Sequence, residues 1–193
     1  MTKPILLICG SMKPPLKKKT PSAAREFLKI VQQGIHKAGG KTQFIDLRDM
    51  QLPFFDGREK IAEYKNKDLL GIQKAIHGSG IVIISVPAYW GGPSGVVKNL
   101  IDLLGGPRYR KNVEEPSIKG KIIGFIIVGD TEGSAQSASV SIKNAISSQG
   151  GIALSNSIVI GNPHGVKNLS ELTKKLYMYG KSLWLIAQRV KKI

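Results

Sequence analysis

Side chains that could bind a phosphate are concentrated in the loop after the first apolar run. This loop, GSMKPPLKKKTPS, covers residues 10–22 and leads into a stretch with helical spacing. It contains hydroxyl groups and cations at Ser11, Lys13, Lys17, Lys18, Lys19, Thr20 and Ser22. Hydroxyl groups and the unpaired N–H groups of a helix N-terminus together bind phosphate well. Because the GxxxxGK[ST] and GxGxxG patterns are missing, the loop predicts a phosphate site of neither the Walker nor the Rossmann type. The alternative is a basic loop in which Ser22 only caps the helix.

A second unusual loop follows the third apolar run. In VPAYWGGPSGVV, residues 86–97, Tyr89 and Trp90 lie between two prolines and next to two glycines. Turns are usually polar, and aromatic rings usually serve cores. Either the rings are covered by a neighbouring loop or a dimer contact, or they are exposed for a flat partner that stacks on them. The sequence leaves these alternatives open.

Other residue types that often carry chemistry give no pattern of their own. Cys9 ends an apolar run, and we expect it to pack rather than react. His36, His77 and His164 show no metal-binding spacing and no serine or cysteine partner pattern. Ser94 lacks the G-x-S-x-G frame, so we expect it to cap a helix. The sequence therefore predicts neither a metal site nor a catalytic side chain.

Apolar runs alternate with amphipathic stretches along the chain. The runs predict strands at 5–9, 42–47, 81–86, 121–128 and 152–160. Helical spacing predicts helices at 22–38, 58–77, 94–104, 134–148 and 169–190. Continuous apolar strands connected through helices form a parallel sheet that is covered on both faces. We therefore expect an α/β fold, a flavodoxin-like three-layer sandwich with a five-stranded parallel sheet in the order 2-1-3-4-5.

This topology brings the two loops together. In an open α/β sheet, ligands bind beyond the carboxyl ends of the strands, where the strand order reverses. For the order 2-1-3-4-5 this switch point lies between strands one and three. The loops 10–22 and 87–94 follow those two strands, so we expect them to form one site.

Length and composition are those of one globular domain, residues 1–193, except for the charge. The apolar stretches are far shorter than the roughly 20 residues that cross a bilayer, and a single cysteine fits a reducing cytoplasm. The chain has 29 Lys and Arg against 13 Asp and Glu, a net charge of +16, which favours anionic ligands. Because the basic residues are spread over most of the chain without an RRM, KH or zinc-finger pattern, we do not expect nucleic acid as the partner.

Three segments together resemble the NADPH-dependent FMN reductase family. They are Gly10-Ser11-x-Lys13, Ile45-Asp46-Leu47 followed by Leu52-Pro53, and Pro87-x-Tyr89 followed by Gly95-x-x-Lys98-Asn99-x-x-Asp102. A weaker glycine-rich loop at 129–133 lies where that family has a third flavin-contacting loop. The resemblance implies a flavodoxin-like fold, non-covalently bound FMN and hydride transfer from NAD(P)H to the flavin.

The resemblance also implies roles for individual residues. The FMN phosphate would be held by Ser11, Lys13, Thr20 and Ser22. The isoalloxazine would be lined by Pro87, Ala88, Tyr89, Trp90 and Gly91. Its pyrimidine edge would receive N–H groups from Asp130, Thr131, Glu132 and Gly133, at a helix N-terminus that stabilises negative charge. The chain departs from the family in its longer phosphate loop and in Lys13, a point charge where the family usually has the bidentate arginine.

The resemblance implies an FMN-dependent oxidoreductase that passes hydride from NADPH or NADH to FMN. A second acceptor, such as a flavin, a quinone, an azo compound or a protein, would then take the electrons. The resemblance further implies a homodimer or homotetramer in which helix 94–104 packs against a partner subunit. An alternative is a flavodoxin-like electron carrier or FMN-binding module without NAD(P)H turnover, although flavodoxins tend to be acidic. A third is a basic protein that binds nucleic acid through Lys17–Lys19 and the last helix.

Overall fold

The computed structural model describes residues 2–13, 22–106, 115–163, 165 and 168–190. Within these ranges the strands are β1 (Ile5–Cys9), β2 (Thr42–Asp46), β3 (Ile81–Tyr89), β4 (Gly92–Pro93), β5 (Ile122–Gly129), β6 (Ile152–Ala153) and β7 (Ile158–Gly161). The α-helices are α1 (Ala23–Lys37), α2 (Lys67–Gly78), α3 (Gly95–Gly105), α4 (Glu132–Ser148) and α5 (Leu169–Val190). Short 3₁₀ turns occupy Leu47–Asp49 and Ile61–Tyr64. Strands and helices alternate as predicted, except that β4 directly follows β3 and β7 directly follows β6.

The main sheet is parallel and has the order β2-β1-β3-β5, with β6 and β7 both paired to β5 at the far edge. The predicted fifth strand, 152–160, corresponds to β6 and β7 together, separated by a turn in which the Ser157 hydroxyl donates to the Leu154 carbonyl (2.8 Å). Counted in predicted strands, the order is therefore 2-1-3-4-5. The flavodoxin-like architecture is confirmed.

Helices cover both faces of the sheet. Because side chains alternate along each strand, each strand contributes to two core clusters, one on each face. In β1, Leu6 and Ile8 belong to the cluster under α2, α3 and α4, whereas Ile5, Leu7 and Cys9 belong to the cluster under α1 and α5. The apolar stripe of α3 also lies in the first cluster, so packing on the sheet accounts for it. Two layers of helices around one sheet give the predicted three-layer sandwich.

Helices α1 and α5 approach each other closely at two glycines. A Cβ added to Gly34 would overlap the carbonyl oxygen of Tyr177, and one added to Gly180 would overlap that of Val31. The absence of side chains at these two positions is therefore what lets the helices touch. This contact fixes α1, whose first turn forms part of the site described below.

Two further predicted elements differ from the structure. The single helix predicted at 58–77 is wrong: Lys65 adopts a left-handed conformation (φ 49°), and Asn66 starts α2 by accepting a hydrogen bond from the Leu69 N–H (2.9 Å). Strand β3 continues beyond Val86 to Tyr89. Pro87 is tolerated there because β1 pairs with β3 only as far as Ser85, so the sheet requires no further donor on that side.

In the part of the chain that the structure describes, none of the helices combines the length and the apolar character of a membrane span.

Candidate functional site

A cleft of about 250 Å³ opens at the carboxyl edge of the sheet, beyond the ends of β1, β3 and β5. This is the switch point of the strand order, since β2 and β3 lie on opposite sides of β1. The cleft is lined by Ser11, Lys13, Ser22, Ala23, Ala24, Pro87, Ala88, Tyr89, Val128, Gly129, Asp130 and Pro163. The loops after strands β1 and β3 therefore form one site, as the sequence predicts.

The loop after β1 brings two buried hydroxyl groups to the start of α1. Ser22 is the N-cap of α1 and accepts from the Arg25 N–H (3.3 Å), while its own hydroxyl donates to the Ser11 hydroxyl (2.6 Å). Only 2% of Ser11 and 4% of Ser22 is exposed. Ala23 and Ala24 occupy the first helical positions, where N–H groups have no partner within the helix. Because Lys13 also lines the cleft, this end of it has the types of residue that bind a phosphate. Thr20, the fourth predicted phosphate ligand, lies outside the described residues.

The main chain of this loop is held by Arg25, a residue that the sequence reasoning missed. The Arg25 guanidinium donates to the carbonyl oxygens of Ser11 (2.9 Å) and Lys13 (3.1 Å) and to both carboxylate oxygens of Asp46 (2.8 and 3.2 Å). The hydrogen bond that Arg25 donates to Asp46 raises the pKa of Arg25 above its ordinary value. The register of β1 with β2 could have indicated this contact, because it pairs Asp46 with Cys9, two residues before Ser11.

The aromatic loop after β3 is a tight hairpin. Strands β3 and β4 pair Ala88 with Pro93 and Tyr89 with Gly92, and the Ser94 N–H donates to the Pro87 carbonyl (2.8 Å). Trp90 and Gly91 form the turn with φ values of 53° and 78°, the positive values that a two-residue type I′ turn requires.

The hairpin exposes both aromatic rings. Tyr89 is 51% exposed and lines the cleft, whereas Trp90 is fully exposed (101%) and is not among the lining residues. No described loop of the same chain covers Trp90. Burial of both rings under the loops that the structure describes is therefore wrong, whereas their covering by a dimer contact stays a prediction.

Hydrogen bonds connect the hairpin to the neighbouring loops. The Ser94 hydroxyl donates to the Gly10 carbonyl (3.1 Å) and makes no capping bond to α3, so the prediction that it caps this helix is wrong for the side chain. Gly10 packs so tightly that an added Cβ would overlap the side chain of Val97. On the other side, the Gly91 N–H donates to the Ser134 hydroxyl in α4 (3.2 Å). The loops therefore hold one another in place.

The third predicted loop contributes only its first residues to the cleft. Gly129 and Asp130 line it, together with Pro163 after β7, which the sequence reasoning missed. Thr131 caps α4 by accepting from the Ser134 N–H (3.2 Å), and Glu132 and Gly133 are exposed outside the lining. The N-terminus of α4 thus lies next to the hairpin rather than in the wall of the cleft.

The fold and the cleft at its switch point define a flavodoxin-like α/β protein. The sequence model for NADPH-dependent FMN reductase matches residues 4–165, most of the chain. The chain belongs to the NADPH-dependent FMN reductase family.

Relatives and solved structures agree with this assignment at different levels. The NAD(P)H-dependent FAD/FMN reductase of Geobacillus thermodenitrificans (strain NG80-2) is 29% identical over 89 residues, which are 46% of this chain and 42% of that protein. The match therefore spans less than half of the relative's length. A flavone reductase structure superposes with a TM-score of 0.73 at 14% identity, covering 97% of this chain and 64% of that one. The NAD(P)H:(acceptor) oxidoreductase FerB of Paracoccus denitrificans gives 0.69 at 19% identity, covering 97% and 98%. At such identities the two structures show the fold alone.

Proposed function

We propose that the protein is an NAD(P)H-dependent oxidoreductase that binds FMN non-covalently in the cleft and passes electrons to a small-molecule acceptor. One observation carries this proposal: two buried hydroxyls, a helix N-terminus and a lysine converge in a cleft that also has an exposed aromatic hairpin in its wall. Membership of the family supports the use of flavin and nicotinamide.

The lining residues fit the two chemically different ends of FMN. The phosphate would be held by Ser11, Lys13, Ser22 and the N–H groups of Ala23 and Ala24. The isoalloxazine would lie against Pro87, Ala88 and Tyr89, whose surfaces are flat or apolar. The other predicted contacts, with Thr20, Trp90, Gly91, Asp130, Thr131, Glu132 and Gly133, stay predictions.

The chain's part in the reaction is placement and electrostatics. When bound, FMN supplies the hydride-accepting chemistry itself, so no protein side chain need react. The hairpin holds Tyr89 at the wall of the cleft, and the N-terminus of α4, capped by Thr131, lies beside that hairpin. The positive end of this helix dipole would favour negative charge on the flavin.

The net charge of +16 bears on the choice of nicotinamide cofactor. A positive surface attracts phosphorylated ligands, and NADPH carries one phosphate more than NADH. We therefore propose NADPH as the preferred donor. Measuring kcat/KM for both donors tests this: the preference for NADPH should shrink as salt screens the surface charge.

We also propose a single domain that works in the cytoplasm as a homodimer or homotetramer. The resemblance supports this assembly, and Phe54, beside the Asn99 side chain of α3, is 88% exposed. The Lys98–Asp102 ion pair (2.7 Å) also lies on the outside of α3. Light scattering coupled to size exclusion should show a dimer or larger for the wild type and a smaller species for Phe54→Ser. A monomeric wild type would contradict the proposed assembly.

An absorption titration with FMN is the direct test of the proposed function. The purified protein should bind FMN, and anaerobic NADPH should then bleach the flavin band until an acceptor such as a quinone restores it. Ser11→Ala should weaken FMN binding, whereas Ser79→Ala should not, because Ser79 is a buried serine at the opposite edge of the sheet. Protein that retains no flavin after incubation with excess FMN and removal of the free flavin would refute the proposal. Protein that binds FMN but never oxidises NADPH or NADH would instead be a flavodoxin-like carrier.

A further inference from the structure

We propose that Arg25 is a positioning residue that pre-forms the phosphate-binding loop, with Asp46 as its anchor. This inference rests on the proposed function, since it concerns how the loop after β1 binds the FMN phosphate. Arg25 does not line the cleft. It acts through Ser11 and Lys13, which do.

Arg25 connects three separate parts of the chain. Its guanidinium donates to two carbonyl groups of the loop, at Ser11 and Lys13, and its Nε and one Nη hold both oxygens of Asp46 at the end of β2. Its main-chain N–H donates to the Ser22 hydroxyl at the start of α1. Only 7% of the residue is exposed, so these bonds are made largely away from water. One side chain therefore ties the loop to a helix and to a strand.

The neighbouring carboxylate decides which role this arginine can have. Asp46 accepts from two of the guanidinium N–H groups at 2.8 and 3.2 Å and offsets part of the charge, since the same carboxylate also lies 3.8 Å from the Arg48 guanidinium. The other hydrogen bonds of the guanidinium go to the main-chain carbonyl oxygens of Ser11 and Lys13. Arg25 thus differs from Lys13, which is one of the residues that line the cleft. The contacts of Arg25 fix the main chain instead of presenting charge to a ligand.

Holding the carbonyl groups also orients the donors of the loop. The described peptide bonds are trans, and in a trans peptide the C=O and the following N–H point in opposite directions. With the Ser11 carbonyl held by Arg25, the Met12 N–H must point away from the guanidinium. The same contact with Arg25 fixes Ser11, whose hydroxyl accepts from the Ser22 hydroxyl. A loop fixed before binding loses less conformational freedom when the ligand arrives, which strengthens binding.

The shape of the guanidinium is needed for this task. Its planar, five-donor group can reach a carboxylate and two carbonyls at once, whereas a lysine ammonium is a point charge with three donors. We therefore expect Arg25→Lys to fold but to leave part of the loop unheld. Arg25→Met should remove all of these side-chain bonds.

The test compares FMN with riboflavin, which lacks the phosphate. The dissociation constants of both flavins are measured by fluorescence quenching for the wild type, Arg25→Lys and Arg25→Met. Lys29→Met is the matched control, because it removes one exposed cation from the same helix. For Arg25→Met we expect the FMN constant to rise about tenfold or more, and for Arg25→Lys less, since several charge-assisted bonds are lost. The riboflavin constant should change by less than about threefold, and the control should match the wild type.

A second measurement needs no flavin. Hydrogen–deuterium exchange of the cofactor-free protein should be faster for Arg25→Met in a peptide covering residues 5–13, and unchanged for Lys29→Met. If Arg25→Met does not fold, Asp46→Asn replaces it, and the same pattern with smaller changes is expected because only the anchor is weakened.

Equal weakening of FMN and riboflavin, or no change in either, would overturn the positioning role. Unchanged exchange in residues 5–13 would overturn it as well. A wild type that binds no FMN would refute the proposed function, and the exchange comparison would then decide the structural part of this inference by itself.

Discussion

Replacing Trp90 by asparagine should stabilise the protein. Trp90 is the first residue of the β3–β4 turn and has φ 53°, in the left-handed region that bulky residues avoid. Two-residue type I′ turns favour Asn-Gly, and Gly91 already supplies the glycine. The Trp90→Asn variant therefore has the sequence that this backbone prefers.

The size of the effect follows from exposure and backbone strain. A residue held in a sparsely populated conformation costs about 1–3 kcal/mol. Because the Trp90 ring is fully exposed, its removal forfeits no burial that would offset the relief of strain. Asparagine tolerates the left-handed region but is not free of strain there, so we expect a net gain of about 1 kcal/mol. For a chain of this size that corresponds to a rise of about 2–4 °C in Tm.

Differential scanning calorimetry of the cofactor-free and FMN-loaded protein measures this. Trp90→Phe is the control, because it keeps an aromatic ring and the strain, and its Tm should equal that of the wild type. If Trp90→Asn has a Tm at or below that of the wild type, the strain argument is refuted. A Tm loss that grows with protein concentration would further show that a partner subunit covers the ring in solution.

Four more predictions concern helix glycines and buried side chains. Gly34→Ala should destabilise the protein by about 2 kcal/mol or more in urea denaturation, since its Cβ would overlap the Tyr177 carbonyl. Gly71→Ala should stabilise the protein by up to about 1 kcal/mol, because the added Cβ would have nothing within 4 Å. Equal effects of the two substitutions would contradict the close contact between α1 and α5. Tyr179→Phe should be neutral or stabilising by up to about 1 kcal/mol, because its buried hydroxyl has no hydrogen-bond partner among the described residues. Burial raises the pKa of Tyr179, so the phenol ionises in the unfolded chain at a lower pH than in the folded protein. As the pH rises above about 10, the wild type should therefore lose stability that Tyr179→Phe keeps. Parallel profiles of stability against pH for the two proteins would contradict this. Burial likewise raises the pKa of the Cys9 thiol, so iodoacetamide at pH 8 should alkylate it only after unfolding, and rapid native labelling followed by mass spectrometry would refute its burial.

Hydrophobic periodicity was sufficient to predict the fold, because the buried apolar runs form the sheet and the amphipathic stretches must pack their apolar sides on it. The limits of β1 and α5 agree with the predicted ranges, and the strand order is as expected. The errors arose where a local signal competes with tertiary context. Pro87 suggested the end of β3, yet its position beyond the last β1 pair removes the usual objection to proline in a sheet. At 58–77 an apolar spacing hid the break at Lys65 and the cap at Asn66.

The candidate site divides in the same way between local and long-range information. Ser11, Lys13, Ser22 and Tyr89 were identified because loop composition and topology together place hydroxyls, a cation and a ring at one edge. Arg25 was missed because its partners are distant in sequence: Asp46 lies 21 residues away and Ser11 lies 14 away. Only the register of β1 with β2 brings Asp46 to this edge.

Several contacts that shape the cleft connect one loop with another. Arg25 and Asp46 hold the loop after β1, Ser94 connects that loop to the hairpin, and Ser134 connects the hairpin to α4. None of these four residues lines the cleft, yet each fixes main chain that does or that adjoins it. Substitutions at Arg25, Asp46, Ser94 or Ser134 should therefore alter ligand binding through the shape of the cleft, whereas substitutions in its lining remove a contact directly. In this fold the parallel strands bring distant loops to one edge, and it is these cross-loop bonds that turn that proximity into a defined geometry.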